Sequence, residues 1–398
     1  MTDNILARRN ILILALAQSL GAASPPIIVS LGGLVGQKLS ADPALVTLPV
    51  SLFNLGLALG TLPAAMIMRR FGRRSGYLLG ASIGIAAGLI AALGIYRATF
   101  TIFCLGTFTA GFYAAYVQSY RFAATDSAHG AMRAKAVSWV MIGGLAAAII
   151  GPQLVIWTRD ALPGLPYAGS FLSQAALACL ALPVLAMLRT PKPAPSAPGT
   201  SDGGRSLMQI LLTPRYMLSV AAGVVSYGLM TFIMTAAPMA MVGHGHSIDH
   251  AALGIQWHVL AMFGPSFITG SLIARFGKEI ITALGLLLTA LSAAIALSGL
   301  GLTHFWGSLI LLGIGWNFGF IGATTMVAEC HTSAERGKAQ GANDFMVFGV
   351  VAAASFFSGT LLSASGWQTI NMLIFPAVAL VLVPLLWRAA KNSEPVVN

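Results

Sequence analysis

YGLMTFIMTAAPMAMVGHGHSIDHAALGIQWHVLAMFGP, residues Tyr227–Pro265, sets two long apolar runs on either side of a short loop carrying His244, His246, Asp249 and His250. Runs of this length and apolarity match the span of a bilayer, where only a helix satisfies its own backbone. The stretch therefore reads as a helical hairpin that crosses a membrane twice. Met230 and Met234 lie four residues apart on the first arm, and His258 and Met262 four apart on the second. Positions i and i+4 share one helix face. Antiparallel neighbours built this way aim three thioethers and one imidazole at one place, a donor set suited to a soft ion such as Cu(I).

The rest of the chain agrees with a membrane reading. Of 398 residues, 57% are hydrophobic and 8% charged, and the mean hydropathy is +0.83. A soluble domain carries roughly 25% charged residues, so this composition excludes a water-soluble enzyme or binding module. Apolar segments are expected at about 11–36, 44–68, 75–96, 99–121, 136–157, 169–188, 216–242, 251–274, 279–300, 305–328, 342–364 and 368–388, which makes twelve spans. The net charge of +11 is not a nucleic-acid face, because the basic residues sit between apolar segments and set topology instead. With the N-terminus cytoplasmic, 19 of the 22 Lys and Arg fall on the inner side, and only Lys38, Arg97 and Arg159 fall outside. Both termini are thus expected in the cytoplasm. Cys104, Cys179 and Cys330 form no CxxC and suggest neither a disulfide framework nor a zinc site.

Residues 189–214, RTPKPAPSAPGTSDGGRSLMQILLTP, are rich in Pro, Ser and Gly and read as a linker. They divide the chain into an N-terminal six-helix bundle (1–188) and a C-terminal one (215–398). The halves echo each other. Arg70-Phe71-Gly72-Arg73 recurs as Arg275-Phe276-Gly277-Lys278, and Asp126, Arg133 and Lys135 recur as Glu329, Arg336 and Lys338. Such a repeat places a path between two parallel bundles. The charged loops are candidate conformational gates, with Asp344 at the start of the eleventh span as another.

These turns, their echo, the twelve spans and the long central loop resemble the major facilitator superfamily over essentially the whole chain. The acidic position of that family's first loop is Arg69 here, and Gly151-Pro152 is similar to the Gly-Pro signature of its proton-coupled antiporters. The resemblance implies an all-α membrane protein of two pseudo-symmetric six-helix bundles working by alternating access in a bacterial inner membrane. Within the superfamily, M-x-x-x-M on the seventh span and H-x-x-x-M on the eighth resemble the CcoA-like copper importers. That likeness implies copper uptake through Met230, Met234, His258 and Met262, with a cytoplasmic copper chaperone as partner. The same branch holds riboflavin importers.

Depth arithmetic brings the four side chains to one level. Met234 precedes the outer loop by about nine residues and His258 follows it by about eight, which at ~1.5 Å per residue gives similar depths. On the copper reading, His244, His246, His250 and Met241 form an outer funnel. The other reading is import, or proton-coupled export, of a small riboflavin-like or drug-like solute. For it the candidate cavity lining is Asn54, Tyr113, Gln118, Tyr227, Gln256, Trp316 and Asn317, although polar residues in spans also bond between helices. No catalytic constellation, cofactor site or Gly-rich Walker loop is present. The expectation is a non-enzymatic transporter driven by something other than ATP, with copper as cargo rather than cofactor.

Overall fold

A computed structural model describes residues 2–126, 132–189, 204–332 and 335–392. Among them there are helices and no strand. The first span is α1 (Thr2–Gly21) followed by α2 (Ser24–Leu39), the break falling where Pro25 and Pro26 open α2. Spans two to six are α3 (Leu48–Phe71), α4 (Arg73–Tyr96), α5 (Phe100–Gln118) with its short extension α6 (Tyr120–Asp126), α7 (Met132–Thr158) and α8 (Ala168–Ala186). After the five-residue α9 (Leu207–Leu211), the second half comprises α10 (Pro214–Gly243), α11 (Ile248–Phe263), α12 (Ser266–Phe276), α13 (Lys278–Ser298), α14 (Leu302–Ala328), α15 (Arg336–Met372) and α16 (Ile374–Asn392).

Ten segments are long and apolar enough to cross a membrane, and α11 with α12, bent by 43°, makes an eleventh. One of the ten, Arg336–Arg388, is 53 residues long, about 80 Å of helix against a hydrocarbon core of about 30 Å. It is broken at Gly366 (φ 77, ψ 177). This backbone geometry is open to glycine and strained for other residues, so the chain turns there and makes two passes, twelve in all. The repeated turns share one geometry too. Gly72 (φ 84, ψ 158) and Gly277 (φ 89, ψ 152) each end one span and begin the next. The sequence echo is thus a repeat of backbone conformation.

The eighth span, expected to be continuous over 251–274, is not. Pro265 has no N–H to offer the preceding turn, which loosens the helix at Gly264-Pro265. Asn317 on α14 props the bend open. Its Nδ2 donates to the Met262 carbonyl (2.6 Å) and to Ser266 Oγ (2.7 Å), and its Oδ1 accepts from Thr269 Oγ1 (2.5 Å).

Each half has its own apolar core, one around Tyr77, Phe103 and Phe171, the other around Ile233, Phe305 and Leu312. Small residues let helices approach within each half; a Cβ on Gly111 would meet the backbone of Phe53 and Gly56 across the α3–α5 crossing. Between the halves, α3 packs on α15 and α7 on α11. These are the second and eleventh spans, and the fifth and eighth. A two-fold exchange of halves maps one pair onto the other.

The cross-bundle polar contacts lie at the end opposite the termini, called here the far end. Thr47 Oγ1 donates to the Phe356 carbonyl (3.1 Å), Thr360 Oγ1 to the Ala44 carbonyl (3.0 Å), and Ser363 Oγ to the Pro43 carbonyl (3.3 Å). Arg159 pairs with Asp249 at 2.5 Å. At the terminal end, the described ion pairs stay within one half. Glu329 pairs with Arg215 and, at 3.0 Å, with Lys278, and Arg205 pairs with Glu335 at 2.9 Å. The described hydrogen bonds and the Arg159–Asp249 pair therefore hold the two halves together at the far end.

Candidate functional site: an aromatic cavity between the bundles

Below the far-end contacts, an aromatic cluster packs on the core of the C-terminal half. Tyr227 stands edge-on to Trp316 (5.3 Å between centroids), Phe320 (5.0 Å) and Phe348 (5.9 Å). Trp316 stacks on Phe320 at 5.3 Å and 16°, and Phe263 meets Trp316 edge-on at 6.0 Å. Four helices supply these rings: α10, α11, α14 and α15. Counted from the far ends of those helices, Tyr227, Phe263 and Trp316 lie about 21–24 Å deep at ~1.5 Å per residue, near mid-span. Tyr227, Phe263, Phe320 and Phe348 are half-buried, and Trp316 is nearly enclosed. The Trp316 indole N–H has no partner among the described residues.

Charges reach this wall from both halves. Arg121, at the end of the fourth span, interacts electrostatically with Tyr227 and with Asp344 on α15. Arg121 itself is exposed. Gln153 Nε2 of α7 donates to Gln256 Oε1 of α11 at 3.0 Å, joining the two halves above the cluster. The arrangement offers faces for stacking, one guanidinium, one carboxylate and a pair of amides. That suits a flat, mostly uncharged solute better than a bare ion.

The Met/His set is placed differently. His258 is wholly enclosed, and its Nδ1 bonds the Leu309 carbonyl at 2.7 Å. The Leu309 contact points His258 at α14, inside the C-terminal bundle. Gln256, which points at the other half, is two residues away, or about 200° around the helix. Met262 follows the His258 side and adjoins Gly313 of α14 through its backbone. Met230 lies in the same core and Met234 is half-buried at its edge. The depths agree with the sequence reading, and the direction of His258 is away from the central opening.

The outer histidines bond separate groups, and His244 and His246 both lie against Phe305. His244 Nδ1 bonds the Ala240 carbonyl (2.7 Å), His246 Nε2 the Leu300 carbonyl (2.8 Å), and the His250 ring lies against Trp306 (6.2 Å). Met241 is fully buried. Among the described residues, no three His, Cys, Asp or Glu side chains group as metal ligands.

Of the residues expected to line a cavity, Tyr227 and Trp316 join the aromatic cluster, and Gln256 bonds Gln153 across the halves. Asn317 is the strut of the span-eight bend and is fully enclosed. Tyr113 packs inside the N-terminal bundle against Gly84. Asn54 and Gln118 are half-buried. Among the gate candidates, Arg70 and Arg275 lie over the rings of Phe71 (5.3 Å) and Phe276 (5.1 Å), again as an echo. Arg73 donates to Tyr77 OH (3.3 Å). Glu329 does not pair with Arg336; it takes Arg215 and Lys278, and Arg336 bonds Gln340 (3.4 Å). The side chains of Asp126 and Arg133 lie outside the described residues.

Phe263, Phe320, Phe348 and Arg121 belong to this site and were not singled out from sequence. Arg121 had a signal, since an ionisable residue within a span usually faces a cavity or partner. The phenylalanines had none, being apolar residues in apolar helices.

Two six-helix bundles joined by pseudo-symmetric helix pairs have the architecture of a multi-pass membrane transporter. The model of the Major Facilitator Superfamily matches residues 11–265 and 221–398, and the chain belongs to that superfamily. It is 73% identical over 388 residues, 98% of each chain, to the riboflavin transporter RfnT of Brucella anthropi. It is also 32% identical over 403 residues to the MFS-type transporter YdeG of Bacillus subtilis, covering 96% of this chain and 92% of that one. The crystal structure of a single-substitution mutant of the nucleoside transporter NupG superimposes with a TM-score of 0.75 over 95% of this chain and 99% of that one, at 14% identity, a likeness of fold alone.

Proposed function

We propose that this protein imports riboflavin, or a closely similar flat and uncharged heteroaromatic solute, across a bacterial inner membrane by alternating access. The observation that carries the reading is the aromatic wall of Tyr227, Trp316 and Phe320 at the bundle interface, flanked by Phe263 and Phe348. A planar ring system gains stacking there, and polar edges find Arg121, Asp344 and the Gln153–Gln256 pair. The relative named a riboflavin transporter supports the same solute class.

On this proposal the Lys and Arg asymmetry puts the terminal end in the cytoplasm, and the far-end contacts between the halves close the outer side. On this proposal, residues 1–188 and 215–398 rock about the cavity, joined by the 189–214 linker. Solute enters when the α3–α15 and α7–α11 seals part, and leaves when they re-form. The riboflavin transporter relative gives copper no support; His258 turns Nδ1 to the Leu309 carbonyl inside the C-terminal bundle and leaves Nε2 without a partner among the described residues. The protein on this reading needs neither copper nor a copper chaperone.

The test is uptake of radiolabelled riboflavin by a riboflavin auxotroph carrying the chain, with radioactive copper uptake alongside. Trp316→Leu removes an aromatic contact of about 0.5–1.5 kcal/mol and should raise KM roughly 2- to 12-fold. The double variant Met230→Leu/Met262→Leu should stay near the parent. Riboflavin uptake unaffected by Trp316→Leu but abolished by the double variant would refute the assignment.

A further inference from the structure

A pocket of about 340 Å³ remains between the bundles at the closed far end. Its volume lies in the lower range of small-molecule sites. Gln37 and Ser40 of the first span, Met239 and His244 of the seventh, and Ser363 and Trp367 on either side of the Gly366 break are among the residues that line it. Met239 and Tyr227 stand twelve residues apart on α10, about 18 Å, so this pocket and the aromatic cavity are separate places.

No Asp, Glu, Lys or Arg is among the lining residues. A charged ligand would find no counter-charge, and an uncharged one is favoured. The polar groups are specific. His244 Nδ1 bonds the Ala240 carbonyl, so Nδ1 carries the proton and Nε2 is the acceptor. Trp367 is 3% exposed, and its indole N–H has no partner among the described residues. Such a buried orphan donor calls for an explanation. The Gln37 side chain is exposed and offers both donor and acceptor. Ser40 and Ser363 are engaged with the carbonyls of Asp42 (2.9 Å) and Pro43 (3.3 Å). Met239, Val46 and Leu362 supply apolar walls, and Phe305 backs the Trp367 ring at 5.3 Å. A donor, an acceptor and an amide above apolar walls match the edge of an imide- or amide-bearing ring.

We infer that this pocket is a second binding site, an outer vestibule for an uncharged heteroaromatic solute with an imide or amide edge. It takes the same chemical class as the central cavity, and in this respect rests on the proposed function. Solute is held there from outside while the central cavity faces the cytoplasm.

Gly243 provides the test, since it lines the pocket and a Cβ there meets nothing within 4 Å. Cys104 and Cys330 are buried and Cys179 is exposed, so Gly243→Cys is made in a Cys179→Ser background. Intact cells are treated with a membrane-impermeant methanethiosulfonate in the cold, with and without saturating riboflavin. Thr303→Cys, exposed at the same end and outside the lining, is the control. Riboflavin should slow labelling at position 243 at least severalfold and leave position 303 unchanged. Filling the pocket with Gly243→Leu should raise KM for uptake by a similar factor. Labelling at 243 that ignores riboflavin, in cells that still take riboflavin up, overturns the vestibule and leaves the transport reading intact. No uptake by the parent chain overturns the transport reading, and the vestibule with it.

Discussion

Asn317→Leu removes the prop from the bend in the eighth span and gives the sharpest stability test. Asn317 makes three hydrogen bonds in a fully enclosed setting, to the Met262 carbonyl, Ser266 Oγ and Thr269 Oγ1, at 2.5–2.7 Å. Side-chain hydrogen bonds between membrane helices average about 0.6 kcal/mol each, so three account for about 2 kcal/mol. The Met262 carbonyl would also be left without this donor in a dry interior, which adds about 1 kcal/mol or more. Leucine is close to asparagine in size and introduces little cavity. The expected loss is therefore about 2–4 kcal/mol. For a cooperative unit of bundle size this lowers Tm by roughly 4 °C or more in detergent. Because the bend also sets Phe263 against Trp316 at 6.0 Å, riboflavin KM should rise in protein that still reaches the membrane. A Tm shift under about 1 °C with unchanged KM would refute the account of Asn317 as the strut.

Three other outcomes follow from the closed far end and the linker. Asp249→Asn removes the partner of Arg159 across the bundles; a partly exposed pair worth about 0.5–1 kcal/mol would shift the closed-to-open ratio about 2- to 5-fold, read as faster external labelling of a cysteine at position 243. Gly359→Val should block closure, since a Cβ there would overlap the Thr47 side chain of the other half; uptake should be lost while the protein stays at the membrane, and normal uptake would disprove this contact as part of the seal. Glu335 is held well below the usual carboxylate range, first by Arg205 and then by backbone N–H groups of Thr332 and Arg205. A lowered value means the latch stands at full strength above the ordinary Glu value of about 4.3 and is lost only as pH falls through the folded value. Protease cutting at the linker should thus stay constant from neutral pH to about pH 5 in the parent, and rise at all these pH values in Glu335→Gln.

The second half of the linker was read only by its composition. Its last part is ordered, with Ser206 and Gln209 forming a capping box on α9 and Arg205 clasping Glu335 and the Cys330 carbonyl. The capping pattern S-x-x-Q was legible; the Arg205–Glu335 pairing, 130 residues apart in sequence, was not. The same contrast holds for the gates. Arg70 and Arg275 were found by their echo, whereas the Arg159–Asp249 pair joins two loops with no shared pattern.

Sequence alone determined the membrane class, the twelve spans, the repeat and the depth of each residue along its helix. These follow from length, from the bilayer's demand for apolar helices and from the charge of the loops, all of which are properties of the linear chain. Only the tertiary structure decided which way a side chain points. Lipid is as apolar as a bundle core, so hydropathy does not separate the face that meets lipid from the face that meets another helix. His258 and Gln256 stand two residues apart at nearly one depth, and their partners send them to α14 and to the opposite bundle. On the proposed function, that difference in direction favours Tyr227 and Phe263 over the Met/His set as the part of the 227–265 hairpin that meets the solute.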